Sequence, residues 1–141
     1  INILNPAPAC ELSNDFFSLI DYFTPNETEA EFYTGIKIND ENDAKESSKK
    51  LIDMGIKKVI ITLGEKGVFY SDGKEQIYIN ASPVKAIDTT GAGDAFNGGF
   101  SFALLKGKTV KECLEMANKV AGLSTTKLGA GDGMPFLKDL S

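Results

Sequence analysis

The stretch Asp88-Thr89-Thr90-Gly91-Ala92-Gly93-Asp94-Ala95-Phe96-Asn97-Gly98-Gly99 has the residue types and spacing best suited to chemistry. It places Gly91 and Gly93 where a short strand candidate passes into an apolar helix candidate. Glycines let a backbone come close to a ligand and aim successive N–H groups at one point. A helix N-terminus adds about half a positive charge. Together they predict an anion hole, formed by Gly91, Ala92 and Gly93, that needs no cationic side chain. Asp94 stands beside it. An Asp in a first helical turn can simply complement the helix dipole. A carboxylate facing an anion hole can also orient and deprotonate a hydroxyl that attacks a phosphoryl group held by the amides. Phosphoryl transfer needs positioning and charge stabilisation more than a strong base. Two commoner glycine motifs do not fit. Phe96 stands where a dinucleotide fingerprint needs its third glycine, and Gly99 stands where a P-loop needs Lys.

Composition narrows the chemistry further. The chain has 141 residues, is 42% hydrophobic and 25% charged, and carries a net charge of -5. These values fit one ordinary soluble domain with a single core and argue against a nucleic-acid or anionic-membrane binder. No run is long and apolar enough to span a bilayer. His and Arg are absent and every basic residue is Lys. Histidine-based catalysis and arginine clamps are therefore excluded within these residues. Cys10 and Cys113 form neither a zinc cluster nor a disulfide framework, and read as reduced core thiols of a cytoplasmic protein. On that reading the glycosylation sequons at Asn26 and Asn80 carry no weight. Residues 1–50 hold ten acidic and four basic residues, whereas residues 51–141 hold ten and eleven. The glycine-rich part is thus nearly neutral, which suits a phosphate site. The chain opens on Ile1 in strand-like sequence, as expected of a cut through a larger protein.

The elements that must position these residues follow from periodicity and turn chemistry. Ile1–Leu4, Tyr22-Phe23, Lys58–Leu63 and Val84–Ile87 read as strands. Gly67–Ser71 and Glu75–Asn80 read as a hairpin about Asp72-Gly73. Ser13 is placed to cap a short helix through Phe16, Phe17 and Ile20. Further helices are expected from Asn26 to about Tyr33, from Asp40 or Asn42 to Met54, over Ala92–Leu105 and after Thr109. The Ala92 helix is apolar almost all round, which predicts burial. The Met and Phe residues read as core, and Gly129, Gly131 and Gly133 as a loop. Val59, Ile60 and Ile61 in succession fit a strand buried on both faces. Alternating strands and helices predict an α/β fold, a mostly parallel sheet flanked by helices in a Rossmann-like α/β/α sandwich.

The Asp88–Gly98 stretch resembles the C-terminal motif of the ribokinase-like (PfkB) carbohydrate kinases. Asn5-Pro-Ala-Pro-Ala9, Thr24-Pro-Asn-Glu-Thr-Glu-Ala30, Thr62-Leu-Gly-Glu-Lys-Gly67 and the Gly129…Met134-Pro135 ending match the same family in order. The resemblance implies ATP-dependent phosphorylation of a sugar hydroxyl, with D-ribose favoured. Fructose, phosphosugar and adenosine kinases share the glycine turn. It implies that Asp94 is the base and that Gly91, Ala92 and Gly93 hold the transferred phosphoryl group. It places Asn26, Thr62, Gly64, Glu65, Lys66, Gly67 and Asn118 around ATP, and Glu29 beside Mg²⁺. From their own spacing Asn26 and Glu29 also form a capping box. Thr62–Gly67 also reads as a turn into the next strand. Asp88, Thr90, Ser124, Lys127, Gly129 and Gly133 match a monovalent-cation site, which implies activation by K⁺.

The resemblance also implies that these residues are the C-terminal, nucleotide-binding half of such a kinase. The family's sugar-contacting residues and its lid, through which a homodimer forms, lie mainly in the N-terminal half. A nucleotide-binding module inert by itself is therefore a second reading. A nicotinamide-dependent oxidoreductase is a third, disfavoured by Phe96.

Overall fold

In a computed structural model of the chain, residues 1–140 are described. The fold is organised by strand β3 (Val59–Thr62), whose Val59, Ile60 and Ile61 are fully buried. Branched apolar side chains on both faces suit a central strand. Strands β1 (Ile3–Leu4) and β2 (Tyr22–Phe23) run parallel to each other, and β2 runs parallel to β3. On the other side β4 (Val68–Ser71) pairs antiparallel with β3. Asp72 turns the chain into β5 (Gln76–Ile79), its Oδ1 accepting from the Lys74 and Glu75 amides at 2.9 and 2.7 Å. The result is one mixed sheet in the order β1-β2-β3-β4-β5, parallel on the β1–β3 side.

The chain divides into two compact units. The first comprises Ile1–Gly64 and Val68–Tyr78. It holds α1 (Asn14–Phe17), α2 (Glu27–Thr34) and α3 (Glu41–Asp53). Its core gathers Phe17, Phe23, Leu51, Ile56, Val59, Ile61 and Phe69. Asp40 caps α3, accepting from the Asn42 and Asp43 amides. Tyr33 packs edge-on against Phe17 and Phe23 and donates its hydroxyl to Cys10 O at 2.8 Å. That bond ties down the proline-rich segment after β1.

The second unit comprises Glu65–Gly67 and the residues from Ile79 onward. It is built on α4 (Ala92–Leu105) and α5 (Val110–Ser124). The helices meet at Gly99, where a Cβ would come within 2.9 Å of Val120 Cγ2. A side chain there would force them apart. Thr109 caps α5 in a capping box with Glu112.

Several expectations change. Val84–Ile87 forms no strand, because the Ile87 and Asp88 amides both donate to Thr125 O, anchoring the segment to the end of α5. Helix α1 stops at Phe17, so Ile20 lies outside it, still buried. The glycine-rich loop contains one helical turn, α6 (Ala130–Gly133). Cys113 is buried as expected, but Cys10 is exposed. Helix α4 buries Phe96 and Phe100 yet leaves Leu105 83% exposed. Phe16, Phe32 and Phe136 are exposed rather than core.

Candidate functional site

In the first unit the candidate residues lie at the carboxyl ends of the parallel strands. Asn26 is the N-cap of α2, and its side chain accepts from the Glu29 amide at 2.8 Å. Glu29 Oε2 returns the contact, accepting from the Asn26 amide at 2.9 Å. The capping box predicted from spacing is therefore present. Asn26 also forms an isolated parallel bridge with Thr62, and the Thr62 amide donates to Pro25 O at 3.0 Å. Asn26, Glu29 and Thr62 are thus brought together at the α2 N-terminus. Gly64, with φ +54°, starts the 3-10 turn Gly64–Lys66 immediately afterwards.

In the second unit the glycine turn is built as the sequence implies. Gly91 is the N-cap of α4 in the left-handed conformation, φ 78°, and no side chain caps this helix end. A Cβ on Gly91 would lie 2.9 Å from Ala130 Cβ and 3.5 Å from Met134 Cε. Glycine is needed there for both conformation and space. Ala92 and Gly93 begin the helix, and exposed Asp94 completes its first turn. Asp94 borders an apolar groove of about 270 Å³ with Phe102, Met116, Met134 and Leu137. Asn97 Nδ2 donates to Gly93 O at 2.9 Å, steadying the peptide that leads into Asp94.

Asp88 ties this turn to the α6 segment. Its Oδ1 accepts from the Thr90 amide and its Oδ2 from the Gly129 amide, each at 2.9 Å. Hydrogen bonds from the Thr90 side chain, the Gly129 amide and the Thr90 amide, in that order, hold its carboxyl down at about 2. Gly133 donates to Gly129 O at 2.9 Å, and its Cα faces Ser124 O so closely that a Cβ would sit 2.5 Å away. Lys127 O lies 3.8 Å from the same point. Asp88, Thr90, Ser124, Lys127, Gly129 and Gly133 therefore form one cluster. Its backbone carbonyls and single carboxylate suit a large, weakly hydrated monovalent cation.

Asn118 and the end of the Thr62–Gly67 loop converge on another segment. Asn118 Nδ2 donates to Asn80 O at 2.6 Å. A Cβ on Gly67, φ +115°, would run into Ile79 O and come within 2.7 Å of the Ala81 nitrogen. A cavity of about 470 Å³ opens beside them, lined by Asn80–Val84, Glu115, Asn118 and Leu123. Glu65 and Lys66 are exposed on the turn leading to Gly67. Sequence reasoning set Asn80 aside as a sequon and missed Ala130 and Met134 against Gly91. A left-handed glycine needing a small neighbour was the available signal for Ala130. The Asn80 contact runs through its backbone carbonyl, which no residue type signals.

Among the described residues no group of three or more His, Cys, Asp or Glu side chains could hold a metal ion. That donor set does not form an all-protein metal cage. A Mg²⁺ that keeps most of its waters could reach the protein through a single carboxylate such as Glu29.

The chain matches the pfkB family of carbohydrate kinases over residues 1–137, and belongs to that family. It is 51% identical over 134 residues to a ribokinase of Haemophilus influenzae, spanning 94% of this chain and 44% of that protein. Its fold is similar to the crystal structure of a Thermotoga maritima ribokinase, with TM-score 0.90 and 36% identity over 98% of this chain and 46% of the other. It is equally similar to an Arabidopsis thaliana ribokinase complexed with ribose and ATP, with TM-score 0.89 and 32% identity over 98% and 45% of the two chains. The chain thus spans somewhat less than half the length of these relatives.

Proposed function

We propose that these residues form the ATP-binding, base-bearing half of a sugar kinase that converts D-ribose to D-ribose 5-phosphate. The observation that carries this reading is the start of α4, where Gly91 is left-handed, no side chain caps the helix, and Asp94 stands on the first turn. Backbone amides of Gly91, Gly93 and, by sharing or releasing its bond to Thr89 O, Ala92 donate to the γ-phosphoryl oxygens and stabilise the negative charge that builds there. Asp94 takes the proton of the attacking hydroxyl. The hydroxyl oxygen forms a bond to the γ-phosphorus as the bond to the β–γ bridging oxygen breaks, and ADP leaves. An ordinary carboxylate suffices, because alignment supplies most of the rate.

The α2 N-terminus, with Asn26 and Thr62, receives ATP phosphate oxygens, and Gly64–Gly67 with Asn118 frame the nucleoside. Glu29 holds the waters of Mg²⁺. When bound, Mg²⁺ would neutralise negative charge on the phosphates. The Asp88 cluster holds K⁺ and fixes the glycine turn. The ribokinase relatives and the ribose and ATP complex support the sugar and ATP part of this reading. The protein works in the cytoplasm and, at full length, dimerises through its N-terminal lid. No described helix is long and apolar enough to cross a membrane.

The test is ADP release by the full-length protein with a panel of sugars. Ribose is expected to give the highest kcat/KM, and a preference for fructose or adenosine would overturn the substrate. K⁺ is expected to raise the rate above that in Na⁺ or a bulky organic cation, and equal rates in all three would remove the cation role. The 141-residue chain alone is expected to bind nucleotide weakly and turn over no sugar. Ribose-dependent ADP release by it would show that the missing half is dispensable.

A further inference from the structure

Helix α2 carries the proposed phosphate site on its first turn, and α3 grips it by its last. The buried positions of α2 are Ala30 and Thr34. It packs on α3, whose buried positions are Ala44, Ser47, Ser48 and Leu51. Helix α3 is itself seated on β3 and β4.

Thr34 has both its side chain and its carbonyl engaged. Its Oγ1 donates to Ala30 O at 2.7 Å and accepts from the Ile36 amide at 3.2 Å. A hydroxyl has one proton and two acceptor places. In the 3.2 Å contact between Thr34 Oγ1 and Ser47 Oγ, Ser47 is therefore the donor, and the Thr34 hydroxyl is saturated. Ser48, the next residue of α3, bonds back to Lys45 O in its own helix, the usual habit of a helical serine. Ser47 reaches across to α2. Three residues on, Lys50 Nζ donates to Thr34 O at 2.6 Å. That carbonyl belongs to the last turn of α2, where carbonyls have no intrahelical partner and a cation complements the helix dipole. Ser47 and Lys50 thus clasp one residue from two directions.

The clasp is the directional part of the contact between the helices. Ala30 and Ala44 are fully buried, but their methyl groups interlock little. The link between the helices, residues 35–40, holds no helix or strand. Ahead of α2, Pro25 and Asn26 are tied to β3 through the Thr62 amide and the Asn26–Thr62 bridge. Those ties place the start of the segment, whereas roll and tilt of the helix depend on its packing.

We propose that Ser47 and Lys50 are positioning residues for the nucleotide-phosphate site. By clasping Thr34 they set the roll and tilt of α2, and with them the aim of its first-turn amides. The proposal rests on the reading of the α2 N-terminus as the phosphate site and adds the residues that aim it. Misplacing a binding group by about 1 Å can cost on the order of 10²-fold, so a partial loss of aim is expected to cost less.

The test is steady-state kinetics on the full-length protein, with melting temperatures measured on the same samples. Lys50 is exposed, so Lys50→Met removes the ammonium without opening the core. It is expected to raise KM for ATP about fivefold, with kcat and KM for the sugar each kept within about twofold. Lys50→Arg keeps a donor within reach of Thr34 O and is expected to restore the native KM. Ser47→Ala removes only a buried hydroxyl and is expected to move KM for ATP in the same direction. Thr109→Ala, in the other unit, supplies a loss of stability that leaves KM for ATP unchanged. A native KM for ATP in Lys50→Met, whatever its melting temperature, would overturn the proposal, because the clasp would then be structural alone. An equal rise in KM for the sugar would overturn it too. A native KM in Ser47→Ala would strike Ser47 from the clasp. Should either variant fail to fold, the other decides alone. Asn26→Ala separates the two levels. If it raises KM for ATP and Lys50→Met does not, only the role of the clasp fails. If Asn26→Ala leaves KM for ATP unchanged, the phosphate site is misassigned and the proposal falls with it.

Discussion

Helices α2 and α4 solve the same problem in opposite ways. Every helix begins with amides that have no intrahelical partner. Helix α2 answers with side chains, Asn26 and Glu29 exchanging contacts in a capping box. Helix α4 has a left-handed glycine at that position and no side-chain cap. The capped end is stable by itself and offers a ligand its outer surface. At the uncapped end no side chain takes the amides, although the Ala92 amide donates to Thr89 O at 3.1 Å, and the end relies on its surroundings for shape. Those surroundings are visible, in Ala130 against Gly91 and in Asp88 bridging Thr90 to Gly129. On the proposed function, the self-sufficient start holds ATP and the uncapped start meets the transferred phosphoryl group.

Changes to the uncapped end should cost more activity, and changes to the capped end more stability. Of the two cap positions the larger effect is expected from Gly91→Ala. A side chain there meets Ala130 at 2.9 Å and strains a φ of +78°. Steady-state kinetics on the full-length protein should show kcat down about a hundredfold, comparable to loss of an oxyanion-hole donor. Asn26→Ala should destabilise by about 1 kcal/mol in a denaturant melt. It should also raise the KM for ATP, with kcat changed little. Thr109→Ala, in the capping box of α5, provides the control. It should cost a similar ~1 kcal/mol with KM for ATP unchanged, because that cap lies on no proposed ligand site. If Thr109→Ala moved KM as much as Asn26→Ala, the ligand role of the α2 N-terminus would be lost.

The smallest effect is the pH response of Asp88. Its folded-state pKa, about 2, lies below the ordinary 3.8. A depressed carboxylate contributes stability that is present above its unfolded value and lost as pH falls through the folded one. Acid unfolding of the native protein should therefore steepen between about pH 4 and pH 2, and Asp88→Asn should flatten that portion. An unchanged acid profile in Asp88→Asn would mean that its bonds to Thr90 and Gly129 do not hold the turn.

Much of this was legible in the sequence, and for local reasons. The capping box at Asn26, the cap at Thr109, the buried run Val59–Ile61, and the Asp72 turn are each written within a few residues. The glycine turn was legible because left-handed backbone next to a helix has few residue choices. What failed depended on distant partners. Val84–Ile87 has strand-like composition, yet Thr125 O captures its end. Cys10 lies on the surface because Tyr33 draws its carbonyl, and not its thiol, inward. The contacts of Asn80 with Asn118 and of Ala130 with Gly91 span long stretches of sequence and carry no local pattern.

The central claim is that chemistry happens at the uncapped start of α4, with Asp94 as the base. It is tested most directly by kcat of the full-length Asp94→Asn protein, with ATP affinity measured on the same sample. The expected result is kcat lowered by about 10²–10⁴-fold, the usual contribution of a positioned base, with ATP affinity essentially unchanged. A kcat within about threefold of the native value in a folded protein would contradict the account, since a positioned base contributes far more than that.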